Sequence, residues 1–182
     1  MQCSIWPVAS KSEQVIAKEK LECALVLIKK YTPVKFSDLV KDVSGVLVAG
    51  IPTFHGQYIK DLKLIELYDE FVIDPNTTAE ELASTLIHEA QHGRLFRLGY
   101  GYDEGIRGRI EALCFRSERL FGSRIPNGIK IVENADVWLS GNYDERFTNK
   151  GNREAHLNAL DNIDIPRWFK GLLLWLVQRK ST

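Results

Sequence analysis

The sequence predicts an α+β fold: a small sheet, then a pair of long helices, then a mostly helical C-terminal half. Two observations carry this. Short apolar runs bounded by glycine or turn residues fall between Gly45 and Ile73, as half-buried or buried strands require. From Thr78 onward apolar residues recur every three or four positions, the period of an α-helix. The 182 residues are read as a single domain, 1–182, long enough for a sizeable core.

The elements follow in order. Residues 12–31 form an amphipathic helix with Ser12 as its cap, and Phe36 to Val43 a shorter one. Gly45 to Ile51 (GVLVAGI) is a buried strand. Gln57 to Ile59, Lys63 to Leu67 and Glu70 to Ile73 read as short strands, with Tyr68-Asp69-Glu70 joining the last two unless they form one bent strand. Thr78 to Leu98 is a helix with Leu82, Leu86 and Ala90 on its apolar face. Asp74-Pro75-Asn76 is a turn signal before it, and Thr78 with Glu81 forms a capping box. A second long helix spans Asp103 to Phe121, packing through Ile106, Ile110, Leu113, Cys114 and Leu120. Gly99, Gly101 and Gly108 punctuate the connection, so the two helices can fold back on each other. Gly128 to Leu139 is a helix packing through Ile131, Ala135 and Trp138. Gly141 to Asn152 is a polar loop, a candidate rim or lid, and 153–162 and 166–180 are two further helices.

The first long helix carries His88-Glu89-Ala90-Gln91-His92, an H-E-x-x-H pattern. Residues four apart share a helix face, so His88 and His92 can aim two imidazoles at one point, half of a tetrahedral zinc site. Glu89 is one helical step away and would reach a water beside the metal, where a general base belongs. The plain alternative is a partly buried helix whose polar residues are satisfied by hydrogen bonds. Catalytic zinc usually takes a third protein ligand. The four histidines are 55, 88, 92 and 156, and Leu98 stands where a metzincin carries its third histidine. Glu111 is the better candidate: it lies on the second helix between Ile110 and Ala112, beside the packing face, where a metal would offset the cost of burying a carboxylate. Glu104 reads as a solvated first-turn residue, and Glu118 as one half of a surface ion pair with Arg116 or Arg119.

Eighteen residues separate His92 from Glu111, giving H-E-x-x-H-x18-E. The chain here resembles the gluzincin group of zinc metallopeptidases, over Thr78 to Leu113. The resemblance implies a minimal zincin-like domain with Zn2+ held by His88, His92 and Glu111, and Glu89 as the catalytic general base. It implies a peptide or protein substrate. In such folds a small sheet precedes the motif helix and an edge strand lies above the metal. A strand within Gly45 to Ile73 would play that part and pair with an extended substrate, or the strands simply roof the core.

The chain departs from the family in two places. Thermolysin-like enzymes carry an aspartate four residues after the ligand glutamate, to support a ligand histidine; here that residue is Phe115. Asp103, Asp136, Asp144 or a backbone carbonyl would have to serve instead. The G-x-M-E-N strand of the aminopeptidase relatives is missing, and the only methionine is Met1, so aminopeptidase specificity is not supported. Candidates to stabilise an oxyanion are Tyr102, Tyr100, Tyr143, His156 and Arg107, with none preferred. Arg107 and Arg109 bracket the approach to Glu111 and would hold substrate carboxylates or pair with acids.

Composition narrows the function classes. Formal net charge is zero, which argues against a nucleic-acid partner. Three cysteines, Cys3, Cys23 and Cys114, show no C-x-x-C spacing and suggest a reducing compartment; Cys114 reads as a small core residue. No secretory signal is visible, so a cytoplasmic location is expected. Residues 166–180 place Trp168, Phe169 and Leu172 on an arc flanked by Arg167, Lys170 and Lys180. Packing on the core is favoured there over contact with a membrane surface. The competing function is a non-catalytic binding protein on a zincin scaffold, meeting its partner through this helix or another surface.

Overall fold

The computed structural model describes residues 2–5, 10–49 and 55–141, the first four as backbone alone. The polar loop after Gly141, the two helices expected at 153–162 and 166–180, and Tyr143, Asp144 and His156 lie outside the described residues.

The fold is α+β and mostly helical, with the sheet ahead of the helix pair. Strand β1 (Gln2–Ile5) precedes helix α1 (Lys11–Tyr31). Ser10, not Ser12, caps α1. The Ser10 hydroxyl accepts from the Glu13 backbone, and the Glu13 carboxylate accepts from the Ser10 backbone. Three residues after Ser12 stands Val15, which cannot return such a bond. Ala17, Leu21, Ala24 and Ile28 form the buried stripe of α1.

Helix α2 (Pro33–Asp42) begins three residues earlier than Phe36. Proline suits the first helical turn because its missing N–H would have no partner there. Val43 is extended and feeds strand β2 (Gly45–Ala49), whose Val46 and Val48 are buried. Strands β3 (Gly56–Ile59) and β4 (Leu64–Tyr68) form an antiparallel hairpin. Lys63, expected in the strand, sits in the connecting turn with φ of 50°.

The sheet order is β1-β2-β4-β3. β1, β2 and β4 are parallel, and β3 runs antiparallel at the outer edge among the described residues. The β1 strand had no sequence signal, because its pairing with β2 bridges some forty residues of chain. Residues 70–73, expected as a strand, belong to helix α3 (Asp69–Ile73). The Asp69 carboxylate accepts from the Glu70 backbone and turns the chain as β4 ends.

Helix α4 (Ala79–Arg97) starts as expected, with both bonds of the Thr78–Glu81 capping box present. It is buried on nearly every side: Leu82, Ala83, Leu86, Ile87, Ala90 and Leu95 all lie inside. Each large apolar side chain so buried contributes about 1.5–3 kcal/mol. α1, α2, α5 and β3 pack around it, so α4 is the central rod among the described residues. It stops at Gly99, whose φ of +87° suits glycine, with Tyr100 N–H donating back to the Leu95 carbonyl.

Helix α5 (Glu104–Gly122) returns antiparallel beside α4, and helix α6 (Ile129–Leu139) packs on α5. Gly108 lies inside α5 rather than in the connection. The buried face of α5 also differs from the apolar spacing. Ile110, Glu111, Cys114, Ser117 and Phe121 are buried, whereas Leu113 and Leu120 are exposed. α6 buries Ile131 and Ala135 as expected, and Trp138 stacks on Phe115 at the surface. The α5–α6 turn needs glycine at 128, where a Cβ would collide with the Gly122 carbonyl oxygen.

Candidate metal centre

One turn of α4 carries His88 and His92, and their rings lie 5.1 Å apart. Antiparallel packing slides α5 across this face. Glu111 arrives there, as the sequence predicted, with its carboxylate 3.2 Å from His88 Nε2 and 3.5 Å from His92 Nε2. Zinc–nitrogen and zinc–oxygen bonds of about 2.0–2.2 Å place such donors about 3.3 Å apart in a tetrahedron. The two separations from Glu111 to the histidine nitrogens are close to that spacing.

Each donor is held by a further group. The His88 Nδ1–H donates to Glu118 Oε1 at 2.6 Å, which leaves Nε2 facing Glu111. Ser84 on α4 donates to the other Glu118 oxygen at 2.7 Å. Glu118 is thus not a surface partner of Arg116 or Arg119; Arg119 pairs with Asp136 instead. This also answers the missing aspartate at Phe115: the support for His88 comes from one turn further along α5. The signal was present, because Glu118 lies seven positions after Glu111 and two turns return to one face. Phe115 meets the His88 ring edge-on, with centroids 5.0 Å apart. Tyr102 donates its hydroxyl to Glu111 and sets its ring against the edge of His92. Arg107 lies 5.0 Å from the centre of the Tyr102 ring. Tyr102 therefore holds a ligand candidate in place.

Glu89 is buried beside the donors. Burial pushes its carboxyl up to about 7, while His88 and the Tyr58 backbone N–H favour the charged form. That N–H belongs to β3, so the outer strand runs along the site. The contact is close: the Tyr58 ring lies over Gly93, where a Cβ would come within 2.9 Å of it. Burial also drives His92 down to about 4, with His88 adding repulsion. Burial would lower His88 too, but the bonds to Glu111 and Glu118 outweigh it and the net shift is well upward. Glu111 is pulled the other way: burial opposes ionisation, yet His88, His92 and Tyr102 hold it below the usual carboxylate range.

Cys114 is a buried core residue, as its sequence position suggests, and it also lies beside this group. Cys114 Sγ is 3.6 Å from His92 Nε2. Among the described residues, the ligand atoms of His88, His92 and Cys114 all fall within 4.8 Å of one another, and this group, which does not include Glu111, could hold a metal. Behind it, Lys35 of α2 donates to Gln91 and Ser117, both at 2.8 Å, and ties α2, α4 and α5 together.

No family model matches the chain, and no curated protein or solved structure matches it significantly. No helix among the described residues is long and apolar enough to cross a membrane.

Proposed function

We propose that this chain is a zinc-dependent peptidase of gluzincin type on a small zincin-like scaffold. His88, His92 and Glu111 are the metal ligands in this reading, and Glu89 is the general base. The observation that carries it is the convergence of Glu111 on the two histidine Nε2 atoms from a separate helix. When bound, zinc would supply a Lewis acid that polarises a peptide carbonyl and acidifies a water.

The chain's own groups do the rest. Glu89, buried beside the donors, takes the proton from the attacking water and passes it to the leaving amine. Glu118 fixes the His88 ring through Nδ1. β3, the outer strand among the described residues, offers an edge to an extended peptide alongside Glu89. Peptide or protein is thus the substrate class, and the helix pair with its antiparallel outer strand supports the zincin-like comparison.

The test combines metal content and cleavage. About one zinc per wild-type chain is expected by mass spectrometry, lost or greatly weakened in His88→Ala and Glu111→Ala. Glu89→Gln should keep the zinc and lose peptide cleavage by at least about a hundredfold. Zinc retained in Glu111→Ala would remove Glu111 from the ligand set. Cleavage undiminished in Glu89→Gln would remove the general-base role.

A further inference from the structure

Cys114 sits one helical turn beyond Glu111 on α5 and is fully buried. It packs with Leu95 and Ile110, a niche that an apolar side chain would fill equally well. Its sulfur nevertheless faces His92 Nε2, the same nitrogen that faces Glu111. The 3.6 Å contact is a weak hydrogen bond between sulfur and nitrogen. The same separation suits two donors on one metal. Zinc–sulfur and zinc–nitrogen bonds of about 2.3 and 2.0 Å hold sulfur and nitrogen about 3.5 Å apart in a tetrahedron.

We propose that Cys114 is a fourth protein donor, so that the resting site is closed by His88, His92, Glu111 and Cys114 together. The inference rests on the metal-site reading above and adds a regulatory consequence to it. Four protein donors characterise structural zinc sites, and three with an open position characterise catalytic ones. With Cys114 as a ligand the site would be of the closed kind, and without it of the open kind. Ligation through sulfur would release the thiol proton and take the position of a water; release of the sulfur would restore both. No oxidant or reductant is involved.

Cobalt(II) titration of the metal-free full-length protein tests this, because thiolate-to-cobalt charge transfer absorbs strongly in the near ultraviolet. Wild type should show that absorption together with the visible bands of four-coordinate cobalt. Cys114→Ala should lose the first and keep the second, and its zinc affinity should fall at least about tenfold in chelator competition. Cys114→Ser, closer in volume, guards against a packing defect and should behave alike. Visible bands without charge transfer in wild type would overturn the inference and leave the three-ligand site standing. Charge transfer surviving in Cys114→Ala would assign the sulfur to another cysteine and overturn it as well. Wild type that binds no cobalt would overturn both this inference and the metal-site reading.

Discussion

A bond of 2.6 Å from His88 to Glu118 settles which nitrogen of His88 faces the other donors. A carboxylate can only accept, so Nδ1 carries the hydrogen and Nε2 is left for a metal. Glu118→Ala should therefore weaken zinc binding about 10–100-fold in chelator competition, with Glu118→Gln in between. A change below twofold would reduce Glu118 to packing. The same carboxylates set a pH dependence. In the metal-free protein His88 has its pKa raised well above 6.5, against the effect of burial, by bonds to Glu111 and Glu118. A raised folded-state pKa gives stability that is fully present below about 6.5 and is lost as pH rises through the folded value. A metal needs the neutral ring, so the proton and the metal compete. Apparent zinc affinity should rise with pH from neutrality upward, and zinc binding at pH 7 should release protons, measurable by calorimetry in buffers of different ionisation enthalpy. Affinity flat with pH would contradict a protonated His88.

At the scale of elements, α4 matters most because it touches nearly everything else. Its start rests on Thr78 and Glu81, which satisfy two otherwise unpaired backbone donors. Thr78→Ala should cost about 1 kcal/mol in chemical denaturation. Its contact with β3 rests on the absence of a side chain at position 93. In Gly93→Ala the new methyl meets the Tyr58 ring at 2.9 Å, and that ring is anchored by its hydroxyl on the Asp42 carbonyl. The expected cost is about 1–3 kcal/mol, and the Tyr58 N–H shifts away from Glu89. A fully stable, fully active Gly93→Ala would mean that β3 yields freely. The face of α5 teaches a separate lesson. Leu113 and Leu120 suggested the packing side by their hydrophobicity, yet Ser117 and Glu111 are the buried ones. α4 presents Ser84, Gln91 and the two histidines at that level, so the helix pair is partly polar inside and demands polar partners.

For the whole molecule, polar ties hold α2, α4, α5 and β3 in one frame around the site. Asp42 is buried at the end of α2, and Arg97 at the end of α4 grips both its oxygens. Tyr58 bonds the Asp42 carbonyl from β3. Arg97→Ala would strand a buried carboxylate. Arg97 is about a third exposed, so screening reduces the loss, which is read as a lower denaturation midpoint. No measurable change would show that water takes over from the guanidinium.

How much of this was legible in the chain follows from distance along it. The sequence by itself determined α4, its capping box and the shared face of His88 and His92, because bonds spanning three or four residues are local. It also pointed to Glu111, through a carboxylate placed oddly beside apolar neighbours. Tertiary structure decided what a helix cannot know of itself. Whether Glu118 faces solvent or His88, and whether Cys114 is only packed or also a donor, depends on how far α5 slides along α4. The short Phe71-Val72-Ile73 run suits a strand or a helix equally, and Asp69 and the end of β4 chose the helix. β1 is defined only by the β2 edge it meets. Contacts between distant segments carry no period in the sequence, which is why these features appear only once the chain has closed on itself.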